Sequence, residues 1–189
     1  MKIELIIGST RPGRVGPQIA TWIIDNLPKK AGVNYELVDI QDWKLPIFDE
    51  AIHPSKNQYQ HEHTKAWSKK IEQANAYIFL TPEYNAGYPA SIKNAIDYLF
   101  HEWHGKPLMI VSYGVGGGTT ASAQLRQVAE RLKMLPTAIS PAFTIGKDMS
   151  DKNGQIKNIA TAFKPYEASL HEAAEQLLNL TSTQKTKSV

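Results

Sequence analysis

Ala76-Tyr77-Ile78-Phe79-Leu80-Thr81-Pro82-Glu83-Tyr84-Asn85-Ala86-Gly87-Tyr88-Pro89-Ala90-Ser91-Ile92-Lys93-Asn94-Ala95-Ile96-Asp97-Tyr98-Leu99 passes from unbroken apolarity, through turn residues, into a helical pattern. The run Ala76–Leu80 is short and apolar on both alternating faces, which predicts a strand covered on both sides in a parallel sheet. Pro82 ends it. Ile92, Ile96 and Leu99 then recur at helical spacing behind Pro89, which sits where a proline loses no helical hydrogen bond. The stretch is a strand, a loop and a helix. In an open α/β sheet, loops leaving the carboxyl ends of strands bind ligands, which puts Glu83, Tyr84, Asn85 and Gly87 at the expected address. An ordinary turn is the alternative for these residues alone.

The surrounding chain bounds what that loop can do. Its 189 residues fit one domain, expected over 1–180, with a polar and disordered tail at 181–189. A net charge of +3 and the lack of a basic block give no support to a nucleic-acid partner. No apolar run is long enough for a membrane helix and Met1–Gly8 lacks signal-peptide architecture, so a cytoplasmic protein is expected. The chain has no cysteine, which excludes thiolate nucleophiles and dithiol redox chemistry, so a redox role needs a borrowed cofactor.

Upstream, Lys2–Gly8 predicts a first strand, followed by Ser9-Thr10-Arg11-Pro12-Gly13-Arg14-Val15-Gly16 and a helix with Ile19, Trp22, Ile23 and Leu27 on one face. A polar loop between strand end and helix start suits phosphate: backbone N–H groups and the positive helix end converge there, and arginines neutralise charge. The glycine spacing matches neither the triphosphate loop nor the dinucleotide fingerprint, so a phosphate monoester fits better. A structural turn with two solvated arginines is the competing explanation. Tyr35–Ile40 alternates as a peripheral second strand, and Thr64–Ala74 forms a helix leading into the central strand. His61 and His63, expected on different helix faces, and His101 and His104 lack further ligands, so no metal site is expected.

Downstream, Pro107–Tyr113 predicts another buried strand. Gly114-Val115-Gly116-Gly117-Gly118 follows, with more glycine than a structural turn requires; such a loop lets backbone lie flat against a planar ligand. Ala121–Leu135 is the next helix, Thr137–Ser140 with Phe143–Ile145 the fifth strand and its continuation, and Ile156–Leu180 a closing helix with Pro165 near a start or kink. These elements predict an α/β doubly wound five-stranded parallel sheet of order 2-1-3-4-5 with helices on both faces. The loops after strands one, three and four meet at its switch point.

Gly8-Ser9-Thr10-Arg11-Pro12-Gly13-Arg14, Pro82-Glu83-Tyr84-Asn85 continuing to Lys93-Asn94-Ala95-Ile96-Asp97, and Ser112-Tyr113-Gly114 with Gly117-Gly118 resemble the motifs of the NADPH-dependent FMN reductase family over roughly residues 2–140. The resemblance implies a flavodoxin-like fold, noncovalent FMN, NADPH or NADH as electron donor, a small-molecule acceptor such as a flavin, quinone, azo dye or metal oxyanion, and a homodimer or homotetramer. It implies that Ser9, Arg11 and the Arg14-Val15-Gly16 turn hold the FMN phosphate, with Gln18 reaching it from the first helical turn. Pro82, Glu83, Tyr84 and Asn85 would border the isoalloxazine ring. Ser112, Tyr113 and Gly114, with Gly117 and Gly118, would contact its pyrimidine edge. The flavin then carries the chemistry in ping-pong fashion, with no side chain as nucleophile. Glu83 is a candidate acid or, alternatively, a group that fixes the loop or a subunit interface. Tyr84, Tyr88, Tyr98, Phe100 and Trp103 offer an aromatic surface for assembly, or else core. A flavodoxin-type electron carrier would use the same crevice, though such carriers are usually acidic. A phosphate-ester hydrolase or nucleotide-binding module would use the first loop alone.

Overall fold

A computed structural model describes residues 1–187, Ser188 and Val189 lying outside the described residues. Its sheet is built from β1 (Lys2–Ile7), β2 (Asn34–Asp39), β3 (Ala76–Pro82), β4 (Pro107–Gly114), β5 (Leu135–Pro136) and β6 (Ala142–Thr144). All pairings are parallel and the order is β2-β1-β3-β4-β5, as expected. The fifth position differs in detail from a continuous strand. β5 pairs with Pro107 and Leu108 at the start of β4, and β6 pairs with Ser112 to Gly114 at its end. Pro136 lacks an N–H and Pro141 forces its predecessor away from a regular ladder, so the intervening residues leave the sheet and return.

The principal helices are α1 (Gly16–Asn26), the short α2 (Ile40–Trp43), α3 (Glu62–Glu72), α4 (Ala90–Asp97), α5 (Thr119–Arg131), α6 (Ile159–Phe163) and α7 (Glu167–Lys187). Strand alternation sorts the core into two layers. Ile3, Leu5, Ile7, Ile78, Leu80 and Val111 face α1 and α7, meeting Ile19, Ile23, Leu170 and Leu177. Ile6, Tyr77, Phe79 and Ile110 face the other way, onto Trp67, Ile71, Ile96 and Trp103. Trp67 and Trp103 are fully buried, each with its indole N–H on a helix carbonyl, at Ala95 and Ile96 respectively. Truncating either to alanine would cost about 3–5 kcal/mol.

The expected tail changes, and two readings left open by the sequence are resolved. The tail expected from Thr181 is helical through Lys187, because Thr181 is buried and its hydroxyl donates to Leu177 O, while the remainder of that expected tail lies outside the described residues. Tyr98 and Trp103, counted in the aromatic surface, are core, whereas Tyr84, Tyr88 and Phe100 are only half-buried. The closing helix is divided at Lys164–Tyr166, a tight turn containing Pro165. Among the described residues, no helix is long and apolar enough to cross a membrane.

Candidate functional site

Parallel pairing brings the strand ends level: Ile7 stands beside Asp39 and Leu80, and Pro82 beside Tyr113. The loops that leave them are cross-linked. The Ser9 and Tyr84 hydroxyl oxygens are 2.6 Å apart, joining the β1–α1 loop to the β3–α4 loop. Glu83 N–H donates to Tyr113 O at 3.2 Å, joining the latter to β4. Gly8 lies against Ile92 of α4, and a Cβ there would meet Ile92 Cδ1 and Leu80 O at 3.0 Å, so only glycine permits this approach.

The head of α1 remains open to a ligand. Val15 caps it without a side-chain hydrogen bond, Pro17 has no N–H to place, and among the described residues the N–H groups of Val15, Gly16 and Gln18 have no partner. A helix start with free N–H groups and no carboxylate in its first turn attracts an anion. The two loop arginines have different fates. Arg14 donates to Ser9 O and forms an ion pair with Asp39 at 2.5 Å, so it is committed to the fold. Arg11 is exposed and, among the described residues, its guanidinium has neither a hydrogen bond nor an ion pair. Ser9 is fully buried and its Oγ also accepts Arg11 N–H at 3.3 Å. Gln18 points elsewhere: its amide donates to Ile156 O at 2.9 Å and accepts Ile156 N–H at 2.8 Å. It therefore anchors the turn before α6 instead of reaching toward the loop.

The β3–α4 loop is a tight hairpin. Tyr84 and Gly87 exchange both backbone hydrogen bonds, at 2.8 and 3.1 Å, around Asn85 and Ala86, whose φ angles are 49° and 61°. Two successive left-handed residues define a type I′ turn, which asparagine tolerates and alanine does not favour. Gln124 Nε2 holds Ala86 O at 3.0 Å. Asn85 is exposed at the tip. Pro82 is buried, so its contribution to the crevice is mainly to end β3.

The glycine loop divides into structural and free positions. Gly117 and Gly118 have φ of 75° and 72°. A Cβ at Gly118 would lie 2.9 Å from both Tyr113 N and Tyr113 O, so the chain itself demands that glycine. Gly116 has nothing within 4 Å of its would-be Cβ and is exposed. Ser112 is buried and donates to Gly117 O at 2.8 Å, bracing the loop. Tyr113 packs beneath the α1 head, its hydroxyl 3.1 Å from where a Gly16 Cβ would be; burial pushes its pKa well above the ordinary tyrosine value. Gly114 O accepts from Ile145 N–H at 2.8 Å, seating β6 against the loop. The glycine excess thus has two causes, chain geometry at Gly117 and Gly118 and open approach at Gly116.

Two contributors, Asp39 and the Ser150–Ile156 turn, were hidden from sequence patterns, while Glu83 takes the loop-fixing alternative. Asp39 serves twice, capping α2 through Gln41 N and holding Arg14. Glu83 Oε2 accepts the N–H groups of Thr120 and Ala121 at the head of α5, at 3.0 and 3.2 Å. The Ser150–Ile156 turn reaches the first loop: a Cβ added at Gly154 would lie 3.8 Å from Gly13 O. The histidine pair also differs from expectation. His61 caps α3 and is not in it, so its ring stacks on His63 at 5.1 Å. Among the described residues, no three potential ligands are placed to hold a metal ion.

A doubly wound sheet with an open anion loop after β1, closed over by loops from β3 and β4, is the flavodoxin-like arrangement. The chain belongs to the NADPH-dependent FMN reductase family, whose model matches residues 1–148, and is an oxidoreductase of that family. It is 48% identical over 149 residues to a NAD(P)H-dependent FMN reductase of Schizosaccharomyces pombe, covering 78% of this chain and 74% of the relative. It is 29% identical over 173 residues to a quinone reductase of Pseudomonas putida, covering 85% and 89%. Among solved structures, a flavoenzyme NAD(P)H:(acceptor) oxidoreductase from Paracoccus denitrificans superposes with a TM-score of 0.71 over 94% of this chain and 97% of that one; at 21% identity this likeness concerns the fold.

Proposed function

We propose that the crevice binds FMN with its phosphate at the head of α1, and that the protein uses NADPH or NADH to reduce small acceptors such as flavins, quinones or azo dyes. The observation that carries this is the contrast within the site: most polar groups of the three loops are already paired, while among the described residues the first-turn N–H groups of α1 and the Arg11 guanidinium are not. These groups suit a dianionic monoester. When bound, the flavin supplies the hydride chemistry. The chain's own work is to bind and orient. Ser9, Arg11 and the Val15–Gly16 backbone hold the phosphate. The Tyr84–Gly87 hairpin and the backbone around Gly114 and Gly116 border the ring. Tyr113 closes the floor and excludes water.

The same proposal takes the protein as cytoplasmic, as one flavodoxin-like domain continued by α7, and as a homodimer or homotetramer. Assembly is supported by Ile47, which is 89% exposed, and by Phe48 beside a cavity that includes Phe100 and Leu132. A titration with FMN and with riboflavin tests the binding claim. FMN should bind tightly and riboflavin much more weakly; equal affinities contradict a phosphate loop at α1.

A further inference from the structure

We infer that Glu83 is a positioning residue, one that sets which way the flavin lies in the crevice by closing the second helix head that faces it. The inference rests on the proposed FMN site. Helices α1, α4 and α5 follow β1, β3 and β4 and so begin at the carboxyl end of the sheet, where a helix start leaves its first N–H groups without a partner inside the helix. None has a side-chain cap of its own: Val15 caps α1 and Pro89 caps α4 without one, and Gly118, the cap of α5, has no side chain to offer.

The heads differ in what reaches them from elsewhere. At α1 nothing does. At α5 the Glu83 carboxylate arrives from the β3–α4 loop and accepts both Thr120 N–H and Ala121 N–H. A carboxylate there satisfies two donors and meets the positive helix end, so that position no longer attracts a phosphate. The phosphate is directed to α1 and the ring to the β3 and β4 loops. Glu83 is also fixed at its backbone, through its N–H to Tyr113 O, and its Cβ stands 3.8 Å from where a Gly114 Cβ would be. One residue therefore locks the β3 loop, the end of β4 and the start of α5 into a single unit. Its side chain acts on those backbones and needs no contact with the flavin.

The test is ligand titration of purified Glu83→Ala, Glu83→Asp and Glu83→Gln, with Arg11→Ala for comparison. Loss of the strut should weaken FMN and riboflavin alike, each by roughly tenfold in Glu83→Ala. Arg11→Ala should weaken FMN alone. Glu83→Gln, which retains an acceptor oxygen at the α5 head, should recover most of the affinity. The visible spectrum of bound FMN should change in Glu83→Ala, a signature that mere loss of stability does not produce. If Glu83→Ala does not fold, Glu83→Asp, one methylene too short to span the gap, carries the same expectation. Wild-type affinity and spectrum in a folded Glu83→Ala or Glu83→Asp protein overturn the role of Glu83 alone. Failure of the wild-type protein to take up FMN overturns the site on which it rests.

Discussion

Arg14 and Asp39 form an ion pair, Nη2 to Oδ2 at 2.5 Å, that ties the β1–α1 loop to the end of β2. Both side chains are mostly buried, at 12% and 18% exposure, so the pair is part of the framework. Arg11, three residues earlier, faces outward. The two arginines should therefore respond differently to removal. Arg11→Ala is expected to weaken FMN binding by about 1–3 kcal/mol and leave thermal unfolding of the apo protein nearly unchanged. Arg14→Ala should lower apo stability by about 1–3 kcal/mol as well as disturbing the loop. Fluorescence titration and thermal melts of both variants separate the two roles; equal stability losses would contradict the division.

The hairpin tip stores strain at Ala86, whose φ of 61° costs an L-residue with a Cβ about 1–2 kcal/mol. Ala86→Gly should stabilise the protein by a part of this, about 0.5–1 kcal/mol, since glycine also gains entropy when unfolded. Denaturant unfolding measures it. A destabilised Ala86→Gly would mean that the turn is held by contacts of the methyl group.

The glycine loop yields a paired comparison. Gly118→Ala places a methyl 2.9 Å from two backbone atoms at a positive φ and should cost about 2 kcal/mol or more. Gly116→Ala meets no neighbour and should leave apo stability within about 0.5 kcal/mol, while hindering approach of a planar ligand. Comparable unfolding midpoints for the two variants would contradict the assignment of Gly118 to chain geometry.

Acid sensitivity should trace to Glu50. Its burial favours the neutral acid, but N–H donors from Gln60 and His61 outweigh this and hold its pKa below the ordinary 4.5. A carboxyl with a lowered folded-state pKa contributes its full stability above the ordinary value and loses it as pH falls through the folded value. Melting temperatures across that acid range should fall more steeply for wild type than for Glu50→Gln. Glu50→Ala should cost about 1–3 kcal/mol at neutral pH. Parallel pH profiles would place the acid transition elsewhere.

The strands were legible in sequence because burial on both faces leaves little but apolar residues, as in Ala76–Leu80. The crevice was legible because strand ends and turn residues coincide at Ser9, Pro82 and Gly114. What sequence hid were partnerships between distant segments. Gln18 looks like a first-turn ligand until Ile156, far along the chain, takes both ends of its amide. Arg11 and Arg14 are equivalent in the loop until Asp39 selects one. The split of the fifth strand followed from Pro136 and Pro141, whose effect depends on which end of β4 each segment pairs with. Helix α7 outran its apolar pattern because Thr181 satisfies its hydroxyl on the preceding turn and so tolerates burial.

One crevice should serve both halves of an electron transfer from a nicotinamide to a small acceptor. The deciding measurement is anaerobic mixing of the FMN-loaded protein with NADPH or NADH. The visible flavin absorption should bleach with no other protein present, and a quinone or azo dye added afterwards should restore it. A protein that holds FMN yet is reduced only through another protein, and never by NADPH or NADH, would contradict the account and leave an electron carrier in its place.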